Sequence, residues 1–152
     1  MRFRGRVFRS GKSWAIEIPM LDITTQGRTK NEAYEMIADA VESLVNRKGF
    51  KVRVFRSRGG EFEVSGSDQG AMSALLLRRA RQRAGLSLEE VAARLGSKSP
   101  NSYARYEQGR SVPSIEKLAQ LYSAVAKSGG FVIMESCAGY ELPAKNRSGR
   151  GQ

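Results

Sequence analysis

A chain of 152 residues holds one medium domain or two small ones. Its 26 Lys and Arg against 15 Asp and Glu leave a net charge of +11 with no histidine, a surplus that points to a polyanionic partner, nucleic acid first. The single cysteine, Cys137, excludes an intramolecular disulfide and a Cys-cluster zinc site, and the absence of His removes the commonest general base and metal ligand. No apolar run approaches the about 20 residues a membrane span needs, and the charged start lacks a signal-peptide core. The expectation is a soluble cytoplasmic protein with no cofactor, no metal and no membrane contact.

The charge is unevenly spread. Residues 1–68 carry 13 basic and 9 acidic side chains, residues 69–127 carry 10 and 4, and residues 128–152 carry 3 and 2. The middle segment is therefore the one to test first for a nucleic-acid surface.

In chain order, Phe3, Gly5 and Val7 alternate with Arg4, Arg6 and Phe8, a period of two that predicts a half-buried strand. After the turn Ser10–Ser13, Trp14, Ile16 and Ile18 repeat the pattern until Pro19. A short third strand is expected near Ile23 to Gln26. Thr29-Lys30-Asn31-Glu32 has the form of a capping box, opening a helix with Ala33, Ile37, Ala40, Val41, Leu44 and Val45 on one face and Gly49 at its end. Lys51 to Arg58 and Glu61 to Ser65 flank Gly59-Gly60, a hairpin signal. The order is β-β-β-α-β-β, an antiparallel sheet with a helix on one face.

The small and polar run Ser65-Gly66-Ser67-Asp68-Gln69-Gly70 reads as a linker. Beyond it the pattern is helical. Met72 to Ala84 presents Leu76, Leu77, Ala80 and Ala84, and Ser87 with Glu90 caps a second helix to Leu95. Ser99 caps a third with Pro100 in its first turn, and Ser114 starts a fourth with Ile115, Leu118, Leu121, Tyr122 and Val125 facing inward. Phe131 to Met134 is a short run of strand type, and the residues past Pro143 are too polar to bury.

Four short helices with a tight turn at Gly96 suit a brace helix carrying a projecting one that enters the major groove. The run Leu77-Arg78, Ala80-Arg81, Gly85-Leu86-Ser87, Val91-Ala92, Leu95-Gly96, Tyr106-Glu107-Gln108-Gly109-Arg110, Pro113-Ser114 and Leu118 resembles the Cro/C1-type (XRE) helix-turn-helix family along its length. The resemblance implies a lambda-repressor-like all-α domain in which Asn101, Ser102 and Arg105 read base edges. It also places Ser99 at the start of that helix, and Gln108 and Arg110 in the loop that touches phosphate. Lys98 and Arg78 are candidates for further phosphate contacts. Arg81 and Glu107 match the family's structural salt bridge, and Tyr103 and Tyr106 are expected in the core. Three features depart from the family pattern: Leu88 where Gln is common, Pro100 where a hydrogen-bonding side chain is common, and a turn one residue longer.

Residues 1–65 resemble the HicB antitoxin family. The features that carry the likeness are Phe3–Arg9, the Ser13-Trp14-Ala15-Ile16-Glu17-Ile18-Pro19 strand, the Thr25-Gln26-Gly27-Arg28-Thr29 turn and the helix from Ala33 to Val45. The resemblance implies a partial RNase H-like fold that binds a HicA-like, mRNA-cleaving toxin, joined to a domain that binds the pair's own promoter. The expected class is thus α+β: residues 1–66 a HicB-like toxin-binding domain, 67–71 a linker, 72–127 the helix-turn-helix domain, and 128–152 a short strand and disordered tail. An acidic docking face is available from Glu32, Glu35, Asp39 and Glu42, with an ordinary solvated helix face as the plain alternative.

Catalysis is not expected. Glu17, Asp22, Glu61 and Glu63 do not make the converging carboxylate set of a two-metal nuclease. Two functions remain alongside the antitoxin and autorepressor. One is a stand-alone repressor whose first domain oligomerises or senses a ligand, and the other is a single-strand RNA binder using Phe3, Phe8, Phe55 and Phe62. A homodimer or larger assembly is expected on paired half-sites, with Phe131–Met134 pairing across subunits.

Overall fold

The computed structural model describes residues 1–126, 130–136 and 140–141. The first half opens with three strands, β1 (Phe3–Ser10), β2 (Ser13–Ile18) and β3 (Ile23–Gly27), followed by helix α1 (Lys30–Val45) and the hairpin β4 (Val52–Arg56) and β5 (Glu61–Gly66). Helices α2 (Gln69–Ala84), α3 (Leu88–Arg94), α4 (Pro100–Glu107) and α5 (Ile115–Val125) complete the second half, and Tyr140–Glu141 form a short β6. The sheet runs in the order β3-β2-β1-β5-β4-β6, every neighbouring pair antiparallel.

The alternation in the strands sets which face is covered. Phe3 and Val7 of β1, Ile16 and Ile18 of β2, and Phe62 and Val64 of β5 are buried with Ala33, Tyr34, Ile37 and Val41 of α1. Tyr34 meets Phe62 edge-on with ring centroids 5.5 Å apart. Gly5 is required where it stands, because a Cβ there would lie 2.5 Å from the Glu17 carbonyl oxygen and 2.3 Å from Cζ of Phe62.

Helix α1 is capped by Thr29, whose hydroxyl accepts from the Glu32 amide at 3.1 Å. The Glu32 carboxylate reaches one residue further back than a capping box requires and accepts from the Arg28 amide at 2.7 Å. The helix stops at Asn46 in the left-handed conformation rather than at Gly49, which lies in the following turn.

The segment read as a linker is not a free connection. Ser65 and Gly66 finish β5, Ser67 donates its amide to the Lys51 carbonyl at 2.8 Å, and Asp68 caps α2 by accepting from the Ala71 amide at 2.9 Å. That hydrogen bond, aided by the Arg47 guanidinium, holds the Asp68 carboxyl below the usual carboxylate range. Helix α2 therefore begins at Gln69, and its first half is enclosed on all sides: Ala71, Met72, Ala74, Leu75, Leu76 and Leu77 are all buried. It packs on α1, β5 and the Pro19–Leu21 turn on one side and on α4 and α5 on the other. Core residues of both halves form one continuous cluster.

Two further expectations change. Ile115 sits in the first turn of α5 and is 69% exposed, while Leu118, Leu121, Tyr122 and Val125 are buried as expected. Phe131–Met134 is not a strand: Phe131 stacks edge-on against Tyr122, and Val132, Ile133 and Met134 are exposed. The strand of this region is Tyr140–Glu141, paired with β4. The tail past Pro143 lies outside the described residues.

Because one core serves both halves, unfolding should be a single transition. Truncating Leu75, 1% exposed, to alanine should cost about 2–5 kcal/mol. In denaturant titration, fluorescence of Trp14 in β2 and the helical circular dichroism should shift to the same lower midpoint. Separate midpoints would contradict the shared core.

Candidate nucleic-acid interface

The site is built on α4 and the segments that hold it. Ser87 and Glu90 make a reciprocal cap at the start of α3, with the Ser87 amide donating to the Glu90 carboxylate at 2.7 Å and the Glu90 amide to the Ser87 hydroxyl at 3.1 Å. Gly96, with φ 68°, turns the chain out of α3. A group of serines then braces the start of α4. The Ser97 hydroxyl accepts from the Ser99 amide at 3.3 Å and lies 3.1 Å from the Ser102 hydroxyl. Ser99 caps α4 by accepting from the Asn101 amide at 3.3 Å, and Pro100 takes the first-turn position that needs no donor.

The inner face of α4 is fixed by three buried residues, Tyr103, Ala104 and Glu107. The Tyr103 hydroxyl donates to the Leu77 carbonyl at 3.3 Å, and burial beside the Glu107 charge pushes its pKa up. Glu107 receives a two-point grip from Arg81 of α2, Nε to Oε1 at 2.7 Å and Nη2 to Oε2 at 2.9 Å, while Nη1 of Arg81 donates to the Leu86 carbonyl at 2.8 Å. The Glu107 hydrogen bond raises the Arg81 pKa further. Tyr106 is half-buried against the same core.

The outer face presents Asn101, Ser102, Arg105 and Gln108, all exposed, with Lys98 and Ser99 before it and Arg110 after it. Seven of the eight residues singled out for DNA contact therefore share one exposed stretch. The Ser102 hydroxyl donates to the Ser99 carbonyl at 2.9 Å. Arg78, the eighth, does not join them. It is half-buried and donates to the Leu44 carbonyl at the end of α1.

Arg79 and Arg83 turn the same way. Arg79 donates to the Leu21 carbonyl at 2.9 Å and pairs with Asp22 at 3.3 Å, and Arg83 donates to the Pro19 carbonyl at 2.9 Å. No charge pattern marks two of these contacts, because their acceptors are the backbone carbonyls of Leu21 and Pro19. Leu88 is half-buried against the core.

This is the geometry of a braced helix pair with its second member turned to solvent. Residues 74–128 match the model of a family described as a helix-turn-helix domain. The match runs from within α2 to just past the end of α5, so the helices α3 to α5 and most of α2 are similar to a helix-turn-helix domain. No curated protein is similar to the chain by sequence comparison. Among the described residues, no helix is long and apolar enough to cross a membrane.

The Arg81–Glu107 pair is enclosed, with side chains 18% and 7% exposed. Glu107→Ala leaves a buried guanidinium unpaired and should lower stability by about 3–5 kcal/mol in denaturant unfolding. A loss under about 1 kcal/mol, the range of a surface pair, would mean the pair does not hold α4.

Proposed function

We propose that this chain is an antitoxin that represses its own promoter, acting by binding and not by catalysis. The observation that carries the DNA-binding part is the outward face of α4, where Asn101 and Arg105 stand exposed on a helix whose opposite face is clamped by Tyr103 and Glu107. Arg can hold O6 and N7 of guanine, and Asn the N6 and N7 edge of adenine. Lys98, Ser99, Gln108 and Arg110 flank that face and suit phosphate contacts, which set affinity and register. A homodimer in the cytoplasm, with two α4 helices about 34–36 Å apart on paired half-sites, completes the reading.

The toxin-binding part rests on the resemblance of residues 1–65 to the HicB family and on the β-β-β-α-β-β order that accompanies it. The acidic side of α1 is smaller than its sequence offers, since Glu32 is occupied at the helix cap and Glu42 holds Lys51 and the Val52 amide. Asp39, exposed on α1, is the acidic contribution to a basic toxin.

One observation favours the ligand-sensing repressor as a second reading. A largely apolar cavity of about 510 Å³ lies where Phe3, Leu76, Val112, Ile115 and Phe131 meet, within the size range of small-molecule sites.

Selection of bound fragments from genomic DNA should enrich one sequence. Against that sequence, Arg105→Ala and Asn101→Ala should each cost about 1–3 kcal/mol of discrimination, roughly 5- to 150-fold, with little loss on unrelated duplex. Equal affinity of both variants and the parent for the selected sequence would refute base reading by α4. The antitoxin reading predicts a short basic reading frame directly beside the gene whose product arrests growth, and co-expression of this chain should rescue that growth. No rescue, with DNA binding intact, would leave the repressor reading in place of the antitoxin.

A further inference from the structure

We infer that the loop closing α1 is a second phosphate-binding element, so that the first half of the chain contributes Lys48 to the DNA-facing surface. This rests on the DNA-binding reading above and extends it outside the helix-turn-helix residues.

The joint that places the loop is Arg47. Its Nη2 donates to the Gly109 carbonyl at 3.2 Å, and its Nη1 pairs with Asp68 at 2.7 Å. Gly109 belongs to the turn that follows α4, the turn whose next residue is Arg110. It has φ +65°, and a Cβ on it would come within 2.6 Å of the Arg47 Nη2, so both its backbone and its missing side chain serve this contact. On the other side the loop is held by the Asn46 cap, whose amide donates to the Glu42 carbonyl at 2.9 Å, and by Phe50, which is buried. The loop is thus pinned at three points beside the end of the recognition helix.

Lys48 and Arg110 each lie one residue from the Arg47–Gly109 contact, and both side chains are exposed. Among the described residues neither side chain makes a hydrogen bond or an ion pair. The carboxylates of the surroundings are committed elsewhere: Asp68 to Arg47, Glu107 to Arg81 and Glu42 to Lys51. Arg47, Arg78 and Gln108 line one shallow crevice between the two halves. Two cations without a carboxylate partner among the described residues therefore flank the Arg47–Gly109 contact, one from each half of the chain. A polyanion laid along that contact gives them the charge partner the protein does not supply.

The test uses the full chain and a short duplex carrying the selected sequence, with affinity measured across a range of salt. Lys48→Ala should reduce the magnitude of the slope of log K against log salt by about 0.9, the value for one phosphate contact on B-DNA. Lys48→Arg should keep the parent slope, and neither change should alter the ratio of affinities for selected and mismatched duplex. A parent slope in Lys48→Ala, or a fall in the selected-to-mismatched ratio, would overturn the phosphate role while leaving α4 as the reading helix. Absence of binding by the unmodified chain to any duplex would overturn the DNA-binding reading, and this inference with it.

Discussion

The fold depends on the enclosure of α2. A helix that is apolar on one stripe needs one partner layer, whereas the first half of α2 is buried around its whole circumference and needs two. The sheet with α1 provides one, and α4 with α5 the other. The two halves are consequently not beads on a string but two faces of one core, and the position of each is set by the same helix.

That enclosure also decides what the positive charge of the chain is for. Four of the ten basic residues between 69 and 127 lie in the second half of α2 and turn toward protein. Arg78 and Arg79 donate to backbone carbonyls where α1 and the Pro19–Leu21 turn end, Arg83 donates to the Pro19 carbonyl at the start of that turn, and Arg81 holds Glu107. Carbonyls at helix ends lack intrahelical donors, and a guanidinium with several fixed N–H groups is suited to them. The basic density that marks this segment in the sequence is therefore partly the adhesive between the halves. What remains for a polyanion is a narrower set on α4 and its two flanks.

The features legible from the chain alone were those set within a few residues. The alternation of Phe3, Gly5 and Val7, the Ser87–Glu90 cap and the Ser99-Pro100 start of α4 appear in the structure where their spacing puts them. Apart from the end of α1 at Asn46 and the reach of Glu32 to the Arg28 amide, both local, the departures involve contacts distant in sequence. Ser65 to Gly70 has the composition of a linker, yet β4 pairs with Ser65 and Gly66 and draws them into the sheet. Ile115 fits the apolar stripe of α5 but lies one turn beyond the core that the stripe meets. Phe131–Met134 has strand composition, but the edge of β4 is taken by Tyr140–Glu141. Arg78 resembles a phosphate contact because nothing nearby in sequence shows that Leu44 waits for it.

By itself the sequence determined the local order of strands and helices, the caps that start α1, α3 and α4, and the polar outer face of α4. Each of these follows from side-chain period and backbone hydrogen-bonding needs over a span of about one to four turns. Only the tertiary structure decided which cations face outward, that the two halves share a core through α2, and that Arg47 sets the α1 loop against the turn after α4. Those outcomes depend on which carbonyl or carboxylate arrives from the other half of the chain, and burial of α2 brings them together regardless of their distance in sequence.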